Sequence, residues 1–239
     1  ILYIIFNRPD IVAKSFSKIR KIQPSKLYIS CDGPRCGKDD AFKINKCFDI
    51  IDELLDWKCD VKIRKCDVNL GCKIGVTSAI DWLFENEEVG IVLEDDILVD
   101  DTFFEFATNM LKHFKDRDDI FMISADGRAT FHMSSNSEFT LSYFPTLWGW
   151  ATWRDRWVRY DVSYQRWQDQ KKSIKLKLSN LAVDFHFFEK SIDSAVEGKI
   201  DTWDYQLCGQ FFYNDWLCIV PSVNLAQNVG FGEDASHTK

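Results

Sequence analysis

The sequence predicts an α/β fold in which a mostly parallel central sheet is flanked by helices. Short apolar runs alternate with amphipathic stretches through the first 125 of the 239 residues, and polar turns separate them. Continuous apolar runs are typical of strands buried on both faces, and their alternation with helices is typical of a parallel sheet. The composition, 46% hydrophobic and 28% charged, excludes a disordered or collagen-like chain.

The individual elements follow from local periodicity. Strands are predicted from apolar or alternating runs of five to seven residues, and helices from apolar residues that recur about every 3.6 positions. In chain order, the predicted strands cover residues 1–6, 27–31, 60–66, 89–93 and 120–124, and the predicted helices cover residues 11–22, 41–57, 74–84 and 102–114.

Polar clusters follow four of the predicted strands. Residues 7–10 (Asn-Arg-Pro-Asp) follow the first strand, 32–34 (Asp-Gly-Pro) the second, 69–73 (Asn-Leu-Gly-Cys-Lys) the third and 94–96 (Glu-Asp-Asp) the fourth. Ligands of parallel α/β sheets bind beyond the carboxyl ends of the strands. The sequence therefore predicts a binding site at this edge of the sheet.

The composition changes after about residue 130. Five of the nine tryptophans fall between residues 148 and 167, residues 171–178 form a basic amphipathic stretch, and the tail from residue 223 is polar and irregular. Clustered aromatic side chains pack a core or form a platform for sugar rings, and we expect both uses here. We predict one domain over residues 1–239, with a ligand-binding half at 1–125 and an aromatic-rich half with a closing tail at 126–239.

Charge, hydropathy and cysteine spacing exclude other classes. The net charge of −7 argues against nucleic-acid binding, and no apolar run is long enough for a transmembrane segment. The eight cysteines match no zinc pattern, and free, mostly buried thiols are favoured over one or two disulfides. The start at Ile1, within an apolar run, indicates an excised domain. We expect a cytoplasmic protein, with membrane association through parts outside this chain left open.

The acidic run of Glu94, Asp95 and Asp96 is the first candidate for chemistry. Three adjacent carboxylates after a buried strand repel one another, and a hard divalent cation such as Mn²⁺ or Mg²⁺ relieves that repulsion. The period of two places Glu94 and Asp96 on one face of the strand. A helix N-terminal cluster is the alternative, and the position after a buried strand favours the metal.

Single residues elsewhere each have a functional and a structural interpretation. Asn69 and Lys73 lie where a glycine-containing loop enters a helix, which suits an anion, although a plain turn explains them almost as well. Asp32 either accepts hydrogen bonds from a ribose or a base, or forms a turn. Asp204, among aromatic residues, is either a general base or a helix cap. His237, in an acidic tail, is either a metal ligand or a surface residue.

The order of the motifs resembles the GT-A nucleotide-sugar glycosyltransferases. Within them it is most similar to bacterial family-2-type, hemolysin-like sugar transferases, and more distantly to the N-acetylglucosaminyltransferase I type. The resemblance spans nearly the whole chain. Its motifs are Phe6-Asn7-Arg8-Pro9, Ser30-Cys31-Asp32-Gly33-Pro34, Asn69-Leu70-Gly71, Leu93-Glu94-Asp95-Asp96, Trp148-Gly149-Trp150-Ala151-Thr152-Trp153, Thr202-Trp203-Asp204 and Asn228-Val229-Gly230-Phe231-Gly232.

The resemblance implies a Rossmann-like GT-A fold and a metal-dependent glycosyltransferase. It would use a nucleoside-diphosphate sugar, expected to be a UDP-sugar, and a glycan or glycolipid acceptor, with Mn²⁺ or Mg²⁺. Asp204 would be the general base of an inverting reaction. By the same resemblance, Asn7, Arg8, Asp32, Asn69, Lys73 and Asp95 would bind the nucleotide-sugar, Asp96 and His237 the metal, and Trp148, Trp150 and Trp203 would form the acceptor side and closing loop.

Two other functions use the same residues. A metal-dependent nucleotidyltransferase or phosphoesterase would need a glycine-rich, basic phosphate loop after the first strand, and residues 6–9 are not one. A non-catalytic carbohydrate-binding module would not need the acidic run and Asp204, which are intact. Both alternatives rank below glycosyl transfer.

Overall fold

The computed structural model describes residues 1–128, 137–180 and 183–231. In this part of the chain the strands are β1 (Leu2–Ile5), β2 (Lys26–Cys31), β3 (Asp60–Lys65), β4 (Val89–Glu94), β5 (Ile97–Val99), β6 (Ile120–Ser124), β7 (Phe139–Ser142), β8 (Trp150–Trp153), β9 (Leu217–Pro221) and β10 (Ala226–Asn228). The helices are α1 (Pro9–Ile22), α2 (Asp40–Leu54), α3 (Gly71–Asn86), α4 (Thr102–His113), α5 (Arg154–Trp157), α6 (Trp167–Asn180), α7 (Phe185–Val196) and α8 (Asp204–Asn214).

Eight strands form one central sheet in the order β3-β2-β1-β4-β8-β6-β9-β7. Six of them run in one direction, while β7 and β8 are antiparallel to their neighbours. Helices flank this mostly parallel sheet, which confirms the predicted α/β fold class.

The nine predicted elements are confirmed, with shifted ends. Helix α1 begins at Pro9, before the predicted start, because proline fits the first turn of a helix, where its missing N–H costs no hydrogen bond. Helix α3 begins at Gly71, so part of the predicted turn belongs to the helix. Helix α2 ends at Leu54, three residues before the predicted end.

The position of β8 could not be predicted from the alternating pattern. This strand comes from the second half of the chain and lies between β4 and β6, antiparallel to both. Ala151 pairs with Ile91 on one side and with Ile123 on the other. Strands β4 and β6 of the first half are thus separated by a strand of the second, and both halves build the same sheet.

The tail predicted as irregular contains a strand. Strand β10 pairs antiparallel with β5, a short strand directly after the acidic run. The Val229 N–H donates to the carbonyl oxygen of Asp96 at 2.9 Å. This pairing carries the tail across the carboxyl end of β4.

The core lies on both faces of the sheet. Helices α1, α2 and α4 pack on one face, and α3, α5 and α8 on the other. A smaller cluster joins α6, α7 and α8. All eight cysteines are free thiols, of which Cys31, Cys47 and Cys218 are buried. Within the described part of the chain, no helix is both long and apolar enough to cross a bilayer.

Most of the tryptophans pack the core. Trp150 is 1% exposed and stacks on Trp203, with ring centroids 5.9 Å apart and an interplanar angle of 29°. Trp157 packs against both rings. The indole rings of Trp153 and Trp167 are buried as well. The aromatic excess is therefore mainly a core feature.

The Trp150 ring predicts a large stability effect. Trp150→Ala should lower the free energy of unfolding by about 3–5 kcal/mol, because it leaves a cavity beneath Trp203. Urea denaturation measures this. Val158→Ala, at a side chain 70% exposed, is the control and should change stability by less than about 0.5 kcal/mol. A small effect at Trp150 would contradict its place in the core.

Candidate active site

A cleft of about 950 Å³ opens at the carboxyl ends of β1, β2 and β4. The start of α3, the residues before α8 and the tail complete its walls. The predicted site residues that line it are Asn7, Arg8, Asp32, Asn69, Asp95, Asp96, Trp148, Trp203 and Asp204. They come from both halves of the chain.

Arg8 bridges two carboxylates of the acidic run. Its guanidinium forms an ion pair with Asp95 and a second one with Asp96 at 3.1 Å. The other oxygen of Asp95 accepts from the Phe6 N–H at 3.1 Å. Burial alone would lower the pKa of Arg8, but Asp95 and Asp96 raise it overall. Asp95, only 2% exposed, therefore holds the ends of β1 and β4 together.

Glu94 precedes the two aspartates that pair with Arg8, and its surroundings disfavour its charged form. It is half-buried at the end of β4. Burial, followed by the neighbouring charges of Asp96, Asp95 and Asp204, raises the pKa of Glu94 to about 8. The carboxylates of Glu94 on β4 and Asp204 on α8 are thus close enough to repel each other, although 110 positions separate them in the sequence.

Two aspartates occupy the N-terminus of α3. Asp32 accepts from the backbone N–H groups of Leu70 at 2.8 Å and Gly71 at 3.1 Å. Asp201 accepts from those of Cys72 at 2.7 Å and Lys73 at 3.1 Å. The first N–H groups of a helix lack partners within it, and carboxylates are favoured there by the helix dipole.

This arrangement changes the expected role of the loop at Asn69. Its side chain donates to Asp32 at 2.9 Å and to the Gly33 carbonyl at 2.9 Å, which holds the loop against β2. The N–H groups expected to bind an anion already bind Asp32 and Asp201. For Lys73, the structure shows a backbone contact with Asp201. Sequence reasoning missed Asp201, whose partners lie 128 and 129 positions away.

Asp204 is the first residue of α8 and faces the cleft. One of its oxygens, Oδ1, accepts a hydrogen bond from the Thr202 hydroxyl and another from the Tyr205 N–H at 2.8 Å. Its second oxygen, Oδ2, has no hydrogen-bond partner among the described residues. The expected helix cap is not found, since Trp203 is the N-cap residue and Asp204 is the first residue of the helix, and the general-base role stays a prediction.

Asn7 belongs to a network that the sequence did not reveal. Its amide donates to Asp40 at 2.6 Å. Asp40, 1% exposed, also accepts from the Arg35 side chain at 2.7 and 2.9 Å and from the Arg35 N–H at 3.0 Å. The guanidinium of Arg35 lies 5.2 Å from the centre of the Phe6 ring. Hydrogen bonds from Arg35 hold the pKa of Asp40 well below its usual range.

The predicted aromatic residues have different positions. Trp148 lies in the cleft between the Arg128 guanidinium, 3.4 Å from its ring centre, and the Phe231 ring at 5.8 Å. Trp203 lines the cleft and is 3% exposed, whereas Trp150 supports it from the core. His237, the predicted metal ligand of the tail, lies outside the described residues.

The cleft carries an excess of negative charge. Among the described residues that line it, seven are acidic and three are basic. Across residues 1–128, 137–180 and 183–231, no group of three or more His, Cys, Asp and Glu side chains is placed to hold a metal ion. Mg²⁺ is commonly held by only one or two carboxylates together with substrate phosphates. The carboxylates of Glu94 and Asp96 fit that kind of site.

Comparison with known proteins adds little to this geometry. No protein-family model matches the chain, and no curated protein matches it. Among solved structures, it is similar to HddC from Yersinia pseudotuberculosis, with a TM-score of 0.35 and 11% identity. The match covers 51% of this chain and 56% of HddC, just over half of each. A likeness this distant carries no functional argument.

The hydrogen bonds to Asp40 predict that the free energy of unfolding decreases at acidic pH. Because its pKa is lowered by folding, Asp40 stabilises the protein above its unfolded pKa of about 3.9, and the contribution is lost as the pH falls. Asp40→Asn should lower the free energy of unfolding by about 1–2 kcal/mol near neutral pH, with Arg35 being half exposed. Denaturant titrations over a pH series measure the difference between variant and wild type.

Asp39→Asn is the matched control for that series. Asp39 precedes Asp40, but its side chain is 70% exposed and lies 3.6 Å from Lys43. Its substitution should leave the stability near that of the wild type at every pH. If the Asp40 difference did not shrink below about pH 4, the ion pair would not be its cause.

Proposed function

We propose that this chain is a glycosyltransferase that moves a sugar from a nucleoside-diphosphate sugar to a hydroxyl of a glycan or glycolipid acceptor, with inversion. A UDP-sugar is the donor suggested by the motif resemblance. The observation that carries the proposal is the meeting of Asp204 with Glu94 and Asp96 in one cleft of about 950 Å³. This volume is at the upper end for small-molecule sites and suits a large, two-part ligand.

Asp204 is suited to the role of general base. The Thr202 hydroxyl and the Tyr205 N–H fix one of its oxygens and orient the carboxylate. The second oxygen accepts the proton of the acceptor hydroxyl as the hydroxyl oxygen attacks the anomeric carbon. The bond from that carbon to the diphosphate oxygen breaks, and its electron pair leaves with the nucleoside diphosphate. One displacement of this kind inverts the configuration.

The part of the cleft lined by Asn7, Arg8 and Asn69, called the donor half, provides shape and polar contacts for the nucleotide. Asn7 is held in place by Asp40, and Asn69 by Asp32, so both amides are oriented before a ligand arrives. Arg8, bound to Asp95 and Asp96, places its positive charge beside the acidic run. We assign the nucleoside to this half.

A divalent cation, Mn²⁺ or Mg²⁺, is part of the proposal. Glu94 and Asp96 would hold it together with the diphosphate. Bound there, the cation would supply Lewis-acid stabilisation of the leaving group. The charge of the cleft supports this, because a diphosphate entering a cleft with seven acidic and three basic side chains needs a counter-charge. The proposed metal-binding role of His237 extends the ligand set into the tail.

Trp148 and the tail are suited to excluding water from the donor. The Trp148 ring is supported by Arg128 and meets Phe231, which is 56% exposed. Excluding water limits hydrolysis of the donor and strengthens electrostatic interactions in the site. Trp203 places an aromatic side chain directly before the proposed base.

The proposed role of Asp204 predicts that its substitution lowers the rate of sugar transfer without changing the affinity for the nucleoside diphosphate. Asp204→Asn keeps the shape of the side chain but removes its basicity, so transfer should fall by about 10²–10⁴-fold. Affinity for the nucleoside diphosphate should stay unchanged. Transfer is followed with radiolabelled donor, and affinity is measured by calorimetry.

A control for this substitution exists on another helix. Asp169 lies in the first turn of α6 and is exposed, so Asp169→Asn makes the same chemical change in the first turn of another helix without touching the cleft. It should transfer sugar at the wild-type rate. Normal transfer by Asp204→Asn would show that another group takes the proton.

The proposed cation predicts that transfer depends on metal. A chelator should abolish transfer, and added Mn²⁺ or Mg²⁺ should restore it. Asp96→Asn should raise the cation concentration needed for half-maximal rate by at least about tenfold, because one anionic ligand is lost. Asp119→Asn, at an exposed ion pair with Arg117, should leave that concentration unchanged.

The same assay separates the alternative functions. Metal-dependent release of nucleoside diphosphate in the presence of an acceptor supports glycosyl transfer. Release of a nucleoside monophosphate or of inorganic phosphate would instead support a nucleotidyltransferase or phosphoesterase. Binding of sugar without any release would support a carbohydrate-binding module.

A further inference from the structure

We infer that Asp201 is a positioning residue that acts through Asp204. It attaches the residues before α8 to the first turn of α3, beside the part of the cleft assigned to the donor. The inference rests on the proposed function and adds to it. Asp201 would not touch the reacting atoms. It would fix the distance between the proposed base and the donor.

The contacts of Asp201 are specific to the N-terminus of α3. Its Oδ2 accepts from the Cys72 N–H at 2.7 Å, and its Oδ1 from the Lys73 N–H at 3.1 Å. The start of helix α3 is in turn attached to the end of β2 through Asp32. Asp201 thus continues a hydrogen-bonded connection from β2 to the segment that carries Asp204.

Gly71 provides the space that this contact needs. Its φ is +76°, in the left-handed region that favours glycine, and a Cβ at this position would collide with the Asp201 carboxylate. A larger residue at position 71 would therefore displace Asp201 from the start of α3.

The segment between Asp201 and Asp204 transmits this constraint. The Trp203 carbonyl accepts from the Tyr160 hydroxyl at 2.6 Å, and the Thr202 carbonyl accepts from the Gln206 side chain at 2.8 Å. These contacts lie within the second half of the chain. Asp201, by contrast, bonds to the first half. Its loss should leave α8 folded and packed on the sheet, but it should release the segment that carries Asp204 from the start of α3.

The expected effect is on turnover and not on donor affinity. Displacing a reacting group by about 1 Å can cost about 10²-fold in rate. Asp201→Ala should therefore lower kcat for transfer by about 10²-fold, while the Kd for UDP, measured by calorimetry, stays within about twofold. Asp201→Asn keeps one of the two oxygen acceptors and loses the other, so its kcat should lie between those of Asp201→Ala and the wild type.

Hydrogen exchange tests the contact without relying on activity. The Cys72 and Lys73 amides should exchange faster in Asp201→Ala than in the wild type, and Asp201→Asn, with its single acceptor oxygen, should protect only one of them. Glu197→Ala, at an exposed side chain paired with Lys199 a few residues before Asp201, is the control. It should change neither exchange nor turnover.

Four results would overturn the inference. One is normal kcat in Asp201→Ala, in a series in which Asp204→Asn is inactive; the proposed function then stands. A second is a loss of UDP affinity that matches the loss of turnover, and a third is equal impairment of Asp201→Asn and Asp201→Ala. Normal transfer by Asp204→Asn would overturn the base assignment and, with it, the role of Asp201.

Discussion

The first turn of α3 is where the two halves of the chain are joined beside the cleft. Its exposed N–H groups need acceptors, and they take them from Asp32 at the end of β2 and from Asp201 before α8. A helix N-terminus in this position could have bound an anionic ligand. Here it binds two side chains of the protein, and it thereby links the end of β2 to the segment before α8.

The carboxylates in and around the cleft differ in whether an arginine side chain is paired with them. Some carboxylates are paired within the protein: Asp95 and Asp96 share the single positive charge of Arg8, and Asp40 is paired with Arg35. Glu94 and Asp204 have no such partner among the described residues, and the pKa of Glu94 is raised by burial and by the charges of Asp96, Asp95 and Asp204. The unpaired charge faces the cleft, where a substrate with a bound cation would neutralise it. The carboxylates paired with arginine are therefore distinguished from Glu94 and Asp204 by their partners and not by their residue type.

The elements of the first half were predictable because each depends on local pattern. A buried parallel strand is continuously apolar, and a helix on its face has a 3.6-residue period, so β1 to β4 and their helices follow from short windows. The polar strand ends were predictable for the same reason. Strand β8 was not, because its pairing with β4 and β6 joins segments about 30 to 60 positions apart, and no local pattern specifies a partner. Strand β10 was missed in the tail since three polar or small residues carry no strand signal.

The sequence by itself determined the fold class, the edge of the sheet where a cleft forms, and nine of the residues that line it. Only the tertiary structure decided which of those residues are free to act. Asp32, Asp95, Asp96 and Asp204 look equivalent as acidic residues at element ends. Hydrogen bonds and ion pairs from distant segments occupy Asp32 and Asp95 and leave one oxygen of Asp204 open. The physical reason is that a carboxylate's role depends on the donors around it, and those donors are brought together by folding.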